Sequence, residues 1–220
     1  MSRRIISILA VSSTLFLALM LGAALNIPLV SGSSTIYIKA DGSVDPTTAP
    51  ILNVGNIYYT LTDNIYDSIV VERNNIILDG AGYTLQAIEN GTGINLTGRS
   101  NVTIKNMEIR SFDYGIDLSS ACNNTVSENN ITENNLYAIR LFQSSNNNTV
   151  SGNNITQNGD YSILLYGSSS NNSIYGNYIT GNYAGIGVFE SSNNNTISEN
   201  KIDNNSQYGL VLFKSSNNTI

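Results

Sequence analysis

The fold is decided by a stretch of sequence that repeats with small changes. Residues Asn123–Ser145 read NNTVSENNITENNLYAIRLFQSS, and residues Asn147–Ser169 read NNTVSGNNITQNGDYSILLYGSS. A Ser or Thr preceded by two asparagines recurs at spacings of 24, 24, 23 and 23 residues, at Thr125, Thr149, Ser173, Thr196 and Thr219. A fixed period in the twenties is typical of a solenoid, in which each repeat forms one coil that packs on its neighbours.

Apolar residues fall into four columns when the copies are aligned. The first two columns are Ile104, Val126, Val150, Ile174, Ile197 and Ile220, and Ile109, Ile131, Ile155, Ile179 and Ile202. The other two are Ile116, Ile139, Ile163, Ile186 and Leu210, and Leu118, Leu141, Leu165, Val188 and Leu212. The last two columns lie two residues apart, as on one face of a half-buried strand. We therefore predict three short strands in each repeat, with these columns stacked inside.

Asparagine, which accounts for 34 of the 220 residues, is expected at the corners between strands. Two columns are Asn129, Asn153, Asn177 and Asn200, and Asn134, Asn158, Asn182 and Asn205; small residues at a third corner are Gly115, Ala138, Ser162, Gly185 and Gly209. Asn tolerates left-handed backbone, and amides stacked about 4.8 Å apart can bond along the coils. The pattern predicts an all-β fold, a right-handed parallel β-helix with about 22–24 residues per coil. The leucine-rich repeat has a similar period, but its Leu-x-x-Leu-x-Leu pattern is missing.

The first 32 residues differ from the rest and are predicted to be a targeting segment. Arg3 and Arg4 precede an apolar stretch that ends in small residues, which favours a cleaved secretory signal peptide over an uncleaved membrane anchor. Residues 33–100 show short alternating apolar runs and are expected to form the N-terminal coils or cap of the β-helix. Residues 101–220 hold the regular repeats, which we expect to continue past Ile220. The sequence thus predicts an exported protein, extracellular or at the cell surface.

The repeats resemble those of the NosD-like family of parallel β-helix proteins, whose namesake is a periplasmic copper-binding protein, and of the related pectin-lyase-like superfamily. The copies Asn123–Ser145, Asn147–Ser169 and Asn194–Ser216 carry the resemblance, and the segment Ile76–Leu85 is similar to an early coil of that superfamily. Repeat-containing surface proteins of archaea look most similar. The resemblance implies the β-helix fold, but such repeats serve enzymes, binding proteins and structural stalks alike.

Composition argues against several functions. The net charge of −6 disfavours nucleic acid as a partner, because phosphate binding needs a basic face. The resemblance implies a copper-site maturation factor as one alternative, but copper sites prefer His, Cys and Met. The chain has no His and one Cys, Cys122, which we expect to be a small buried or turn thiol. Beyond the first 32 residues its one Met is Met107, which we expect in the core. We therefore predict that the protein binds no metal and no other cofactor.

A polysaccharide hydrolase or lyase is the main alternative function. Such enzymes need acids clustered on adjacent coils. Asp113 and Asp160 share a column, but Leu136 lies between them, so we expect them about 10 Å apart. Asp117 aligns with Arg140 on the next coil, in an outward ion pair that should contribute little to stability. We therefore predict no catalytic residues.

Outward aromatic residues are the one indication of a binding function. A candidate carbohydrate-binding column, pointed outward by alternation with the fourth apolar column, is Phe142, Tyr166, Phe189 and Phe213. A second aromatic column is Tyr114, Tyr137, Tyr161 and Tyr208. Such rings could stack on sugars, stack on one another, or pack under a partner domain. We expect an exported protein with a structural, display or carbohydrate-binding role, not catalytic by itself. Its expected partners are glycans or other surface proteins, and it should touch a membrane only through the N-terminal segment.

Asn-x-Ser/Thr sequons offer glycosylation sites in an exported chain. They begin at Asn90, Asn95, Asn101, Asn123, Asn130, Asn147, Asn154, Asn171, Asn194, Asn204 and Asn217. Repeat duplication accounts for part of their number, so turn chemistry explains many of these asparagines equally well.

Overall fold

The protein is built from short β-strands and turns. The structure, a computed structural model, describes residues 35–88 and 90–220. Within these ranges no residue is helical, so none of the described chain is a helix that could cross a bilayer. The predicted signal peptide or anchor, residues 1–32, lies outside the described residues.

Three sheets, which we name A, B and C, contain all the named strands. In chain order the strands are β1 (Ile36–Ile38), β2 (Val44–Asp45), β3 (Ile51–Val54), β4 (Tyr58–Leu61), β5 (Ile69–Val71), β6 (Ile76–Asp79), β7 (Thr84–Gln86), β8 (Thr92–Asn95), β9 (Val102–Lys105), β10 (Glu108–Arg110), β11 (Tyr114–Ser119), β12 (Thr125–Ser127), β13 (Asn130–Thr132), β14 (Tyr137–Phe142), β15 (Thr149–Ser151), β16 (Asn154–Thr156), β17 (Tyr161–Tyr166), β18 (Ser173–Tyr175), β19 (Tyr178–Thr180), β20 (Ala184–Phe189), β21 (Thr196–Ser198), β22 (Lys201–Asp203) and β23 (Tyr208–Phe213). Sheet A has the order β2-β1-β5-β8-β11-β14-β17-β20-β23, sheet B the order β21-β18-β15-β12-β9-β6-β4-β3, and sheet C the order β22-β19-β16-β13-β10-β7.

Each coil from β6 onward adds one strand to sheet B, then one to sheet C, then one to sheet A, so that β6–β23 make six coils. Ile131, Ile155, Ile179 and Ile202 pair in register on neighbouring strands of sheet C, all in parallel. Antiparallel pairing occurs at the N-terminal end of the described region, between β1 and β2 and between β3 and β4. The predicted parallel β-helix is confirmed.

The predicted apolar columns form the core of the solenoid. Ile104, Ile109, Ile116 and Leu118, one from each column, are fully buried. Met107 is buried with them, as predicted. Their neighbours in the same columns, Val126, Ile131, Ile139 and Leu141, are fully buried as well. Each column thus depends on the coils on both sides of it, as expected for a solenoid.

Buried asparagine side chains form three ladders along the corners, one more than predicted. The ladders are Asn124, Asn148, Asn172, Asn195 and Asn218; Asn129, Asn153, Asn177 and Asn200; and Asn134, Asn158, Asn182 and Asn205. Asn153 shows the pattern, since its Oδ1 accepts both the backbone N–H and the side-chain amide of Asn129 at 3.0 Å. Its Nδ2 donates to Oδ1 of Asn177 and to the carbonyl of Val126, both at 2.9 Å. The buried amide is therefore fully hydrogen-bonded, as buried polar groups require.

The left-handed backbone at these corners belongs to the residue before each ladder asparagine. Glu128, Gly152, Gly176 and Glu199 precede one ladder and have φ between 56° and 64°. The ladder asparagines themselves do not have positive φ. The expectation that they take the left-handed positions was wrong, because their side chains turn inward to bond along the coils while the more exposed preceding residue makes the turn.

Replacing Asn153 with Ala should lower the free energy of unfolding by about 3 kcal/mol or more. The change removes the acceptor of the buried Asn129 backbone N–H and side-chain amide, and the side-chain donor to Asn177 Oδ1 and to the Val126 carbonyl. Each buried group left unpaired costs about 1–3 kcal/mol. Urea unfolding followed by circular dichroism measures the loss. The matched control is Asn154→Ala, at the exposed next residue, which should change stability by less than about 0.5 kcal/mol. Equal losses in the two variants would contradict the stabilising role of the ladder.

Candidate functional site on the outer face of sheet A

The outer face of sheet A carries aromatic residues on both sides of a charged pair. Successive strands β11, β14, β17, β20 and β23 supply three columns of outward residues. The Tyr column is Tyr114, Tyr137, Tyr161, Ala184 and Tyr208; the central column is Asp117, Arg140, Leu164, Gly187 and Val211; the Phe column is Ser119, Phe142, Tyr166, Phe189 and Phe213. The central and Phe columns alternate with the buried third and fourth apolar columns, so the pleat of each strand sets this face.

The first two aromatic rings of the Phe column, those of Phe142 and Tyr166, are stacked. Phe142 and Tyr166 lie with their ring centroids 5.4 Å apart and their planes inclined by 16°. In the Tyr column, Tyr114 and Tyr137 stack in a similar way, with centroids 5.7 Å apart. Tyr166 remains 39% exposed in its stack. Part of each ring therefore covers its neighbour, and the rest faces solvent.

Phe189 departs from the column. Its ring meets Tyr161 edge-on, with centroids 5.4 Å apart and an interplanar angle of 77°. Both rings lie over the backbone of Gly187, where an added Cβ would come within 2.4 Å of Phe189 and 2.8 Å of Tyr161. The four residues predicted as one strip are thus a stacked pair, a ring folded over a glycine, and Phe213 on the last coil. The sequence alone did not reveal this break, although the lone glycine in the central column was a signal for it.

Arg140 and Asp117 form a two-pronged ion pair between the aromatic columns. Nη2 and Nε of Arg140 lie 2.6 Å and 3.1 Å from the two carboxylate oxygens of Asp117. The guanidinium lies 4.1 Å from the Tyr114 ring centroid and 5.2 Å from that of Phe142, distances typical of cation–π contacts. Burial opposes the charge of Arg140, but the hydrogen bond and the charge of Asp117, with the nearby Tyr114 and Tyr137, together outweigh burial and raise the guanidinium pKa.

The expectation that Asp117 and Arg140 form an exposed surface pair was wrong, whereas the small contribution of the pair to stability stays a prediction. Asp117 is only 5% exposed, because the guanidinium covers it. Its carboxylate also accepts a hydrogen bond of 2.7 Å from the Ser119 hydroxyl. Fork geometry strengthens the hydrogen bonds of the pair, and burial makes the loss of either partner costly.

Asp160 lies beside the Tyr column, next to Tyr137. Burial raises the pKa of Asp160, although hydrogen bonds from the backbone of Tyr161 and from the Tyr137 side chain oppose the rise. Burial and the nearby Asp160 carboxylate also raise the pKa of Tyr137. Sequence reasoning missed this contact because Asp160 aligns with Leu136 on the preceding coil. The signal was nevertheless present, because Tyr137 directly follows Leu136, the residue that aligns with Asp160.

The remaining candidate residues are dispersed over the surface. Asp113, Leu136 and Asp160 follow one another on successive coils, as their backbone hydrogen bonds show. Cys122 is a half-buried free thiol. Among the described residues, no group of three or more His, Cys, Asp or Glu side chains could hold a metal ion. The sequon asparagines are exposed, apart from Asn95 and Asn130, which are half-buried.

Comparison with known proteins identifies the family. The sequence matches the family model described as "Right handed beta helix region" over residues 66–220. The chain belongs to the right-handed β-helix family. This match confirms the predicted right-handed solenoid, and the six stacked coils account for it. No curated protein sequence matches the chain.

Solved structures with a similar fold are carbohydrate-active enzymes. One mutant of the periplasmic alginate epimerase AlgG shares 24% identity with this right-handed β-helix, with a TM-score of 0.57, over 78% of this chain and 40% of that chain. A second mutant of the same epimerase shares 16% identity, with a TM-score of 0.54, over 74% of this chain and 43% of that chain. The A-module of a mannuronan C-5 epimerase from Azotobacter vinelandii shares 16% identity, with a TM-score of 0.48, over 85% of this chain and 67% of that module. This chain therefore spans less than half of the alginate epimerase, and the likeness shows a shared fold.

Replacing Asp160 with Asn should stabilise the protein at pH 7 but not at pH 3. A carboxyl group whose pKa is raised in the folded state, here above the ordinary value of 3.8, stabilises the fold when protonated. That stabilisation is complete below the ordinary pKa and is lost as the pH rises through the folded pKa. An Asn side chain carries no charge at either pH, so it avoids the loss. Urea midpoints of both proteins at the two pH values measure the difference, and a gain of equal size at pH 3 would contradict the assignment.

Proposed function

We propose that this right-handed β-helix is an exported surface protein of the NosD-like type that binds polysaccharide on the outer face of sheet A and has no catalytic activity of its own. The observation that carries the proposal is the arrangement of half-exposed aromatic rings around the Arg140–Asp117 pair. Structural display at the cell surface is compatible with this role, since a solenoid presents an extended face.

Sugars are bound by aromatic rings and by planar polar groups, and this face offers both. The half-buried rings of Tyr114 and Phe142 flank the guanidinium of Arg140, and the more exposed Tyr166 stacks on Phe142. Nη1 of Arg140 has no hydrogen-bond partner within the described residues, so it can donate to a sugar hydroxyl. Because the coils repeat at about the strand spacing of 4.8 Å, successive sugar units of a chain can meet similar side chains on successive coils.

Export is supported by the predicted N-terminal signal and by the setting of a structural neighbour. An alginate epimerase with a similar fold is a periplasmic protein. A glycan-binding face is useful outside the cytoplasm, where polysaccharides are displayed, and glycosylated sequon asparagines would be compatible with that location.

A polysaccharide-active enzyme is the second candidate, and the Asp160–Tyr137 contact favours it. A carboxyl group with a raised pKa beside a Tyr hydroxyl is the kind of pair that can exchange protons with a substrate. The similar solved structures are also carbohydrate-active enzymes. Steady turnover of a polysaccharide by the wild-type protein, lost in Asp160→Asn, would support the enzyme over the binding protein.

Replacing Tyr166 with Ala should weaken polysaccharide binding about fivefold, since one aromatic contact contributes on the order of 1 kcal/mol. Affinity gel electrophoresis with a panel of soluble polysaccharides measures the retardation of the protein. The matched control is Tyr175→Ala, because Tyr175 is 42% exposed, close to the 39% of Tyr166, but lies on sheet B. Loss of retardation in both variants, or in neither, would contradict a binding site on sheet A.

A further inference from the structure

The basic residues on the part of sheet A formed by β11, β14, β17, β20 and β23 are already neutralised. Across strands β11, β14, β17, β20 and β23 and the residues that directly flank them, the cations are Arg140 and Lys214. Arg140 is held by both oxygens of Asp117. The ammonium of Lys214 lies 3.0 Å from a carboxylate oxygen of Glu190. Neither cation is free to attract an anion.

Two further acids flank the Tyr column without a basic partner in the described structure. Asp113 accepts a hydrogen bond of 3.1 Å from the Asn135 side chain, which is uncharged. Asp160 meets Tyr137, also uncharged at neutral pH. With Asp117–Arg140 and Glu190–Lys214 cancelling, these two acids give the face a net negative charge at neutral pH.

Arg140 is also poorly placed to release Asp117 and bind a carboxylate of a ligand instead. A carboxylate of an incoming ligand could bind Arg140 in the same two-pronged way only by displacing Asp117. Asp117 would then be a buried carboxylate without its counter-ion, which is strongly unfavourable. The Tyr114 and Phe142 rings further restrain the guanidinium on its two sides.

The geometry points to an uncharged polysaccharide as the ligand of this face, in contrast to alginate, the polymer of uronic acids that the similar epimerases act on. This inference rests on the proposed glycan-binding function. Carboxylates of a polyuronate bound beside the Tyr column would come within a Debye length of Asp113 and Asp160, so these two acids would repel them. The hydroxyl groups of a neutral glycan meet no such repulsion, and they can accept from the free Nη1 of Arg140.

The test compares a neutral glycan panel, containing galactomannan, xyloglucan and mixed-linkage β-glucan, with alginate in affinity gels at 20 mM and 150 mM NaCl. The full chain should be retarded by at least one neutral glycan, equally at the two salt concentrations, and not by alginate. Asp117→Asn, which frees the charge of Arg140, should make alginate binding detectable at 20 mM NaCl. Asp113→Asn with Asp160→Asn removes the two flanking acids without touching the buried pair. It should strengthen alginate binding several-fold at low salt, since one unit charge about 4 Å away in water changes affinity about fivefold.

The possible results separate the inference from the proposed function. Retardation by neutral glycans alone, with alginate binding gained in the two charge variants, would support the inference. Tighter binding of alginate than of any neutral glycan would overturn the inference and leave the proposed binding function intact. If neither neutral glycans nor alginate retard the protein, both are wrong. If Asp117→Asn fails to fold, the double variant at the flanking acids still decides between the first two outcomes.

Discussion

Hydrogen bonding between the side chains of stacked asparagines is the constraint on which the solenoid depends. At each corner the backbone leaves the sheet ladder, and a buried N–H that pairs with nothing would cost about 1–3 kcal/mol. The ladder asparagine of the next coil supplies the missing acceptor. In the first coil that uses this device, Met107 occupies the ladder position, and its backbone N–H donates to Oδ1 of Asn129 at 3.2 Å. The ladder that starts at Asn129 is therefore preceded by Met107, whose apolar side chain has no polar group that must be hydrogen-bonded.

The ladders also explain where the repeat can change its length. The interval between the first and second apolar columns is five residues in every copy, from Ile104–Ile109 to Ile197–Ile202. The interval from the third ladder to the third apolar column varies, with five residues in Asn134–Ile139 and four in Asn182–Ile186. The corner between sheets B and C is therefore fixed, while the turn that enters sheet A tolerates insertion. Asp160 lies in such a variable turn, so changes in turn length reshape the border of the candidate site and leave the core in place.

Periodic features could be predicted from the sequence, whereas features that depend on a single coil could not. The apolar columns, the burial of Met107 and the stacking of asparagine amides follow from repetition, since a residue type that recurs every coil meets itself. The ladder of Asn124 was missed although its repeated Asn-Asn pair was visible, because one asparagine of each pair faces outward and the other inward. The burial of Asp117 and the rotation of Phe189 over Gly187 each depend on neighbours that occur in one coil only. An alignment of the repeats shows what the coils share, so it does not reveal contacts that occur in one coil only.

Contacts among the outward side chains stabilise the face and, under the proposed binding function, prepare it for a ligand. A ring that already stacks on its neighbour, as Tyr166 does on Phe142, loses little further freedom when a sugar packs on its exposed part. The same holds for Arg140, which is fixed by Asp117 and by two rings. Self-stacking and sugar binding are therefore compatible uses of one surface. Phe189 is the exception, since its ring lies across the central column over Gly187 and meets Tyr161 instead of Tyr166. The fixed, half-exposed side chains are thus confined to the coils that contribute β11, β14 and β17, and a polysaccharide bound as proposed would contact those three coils.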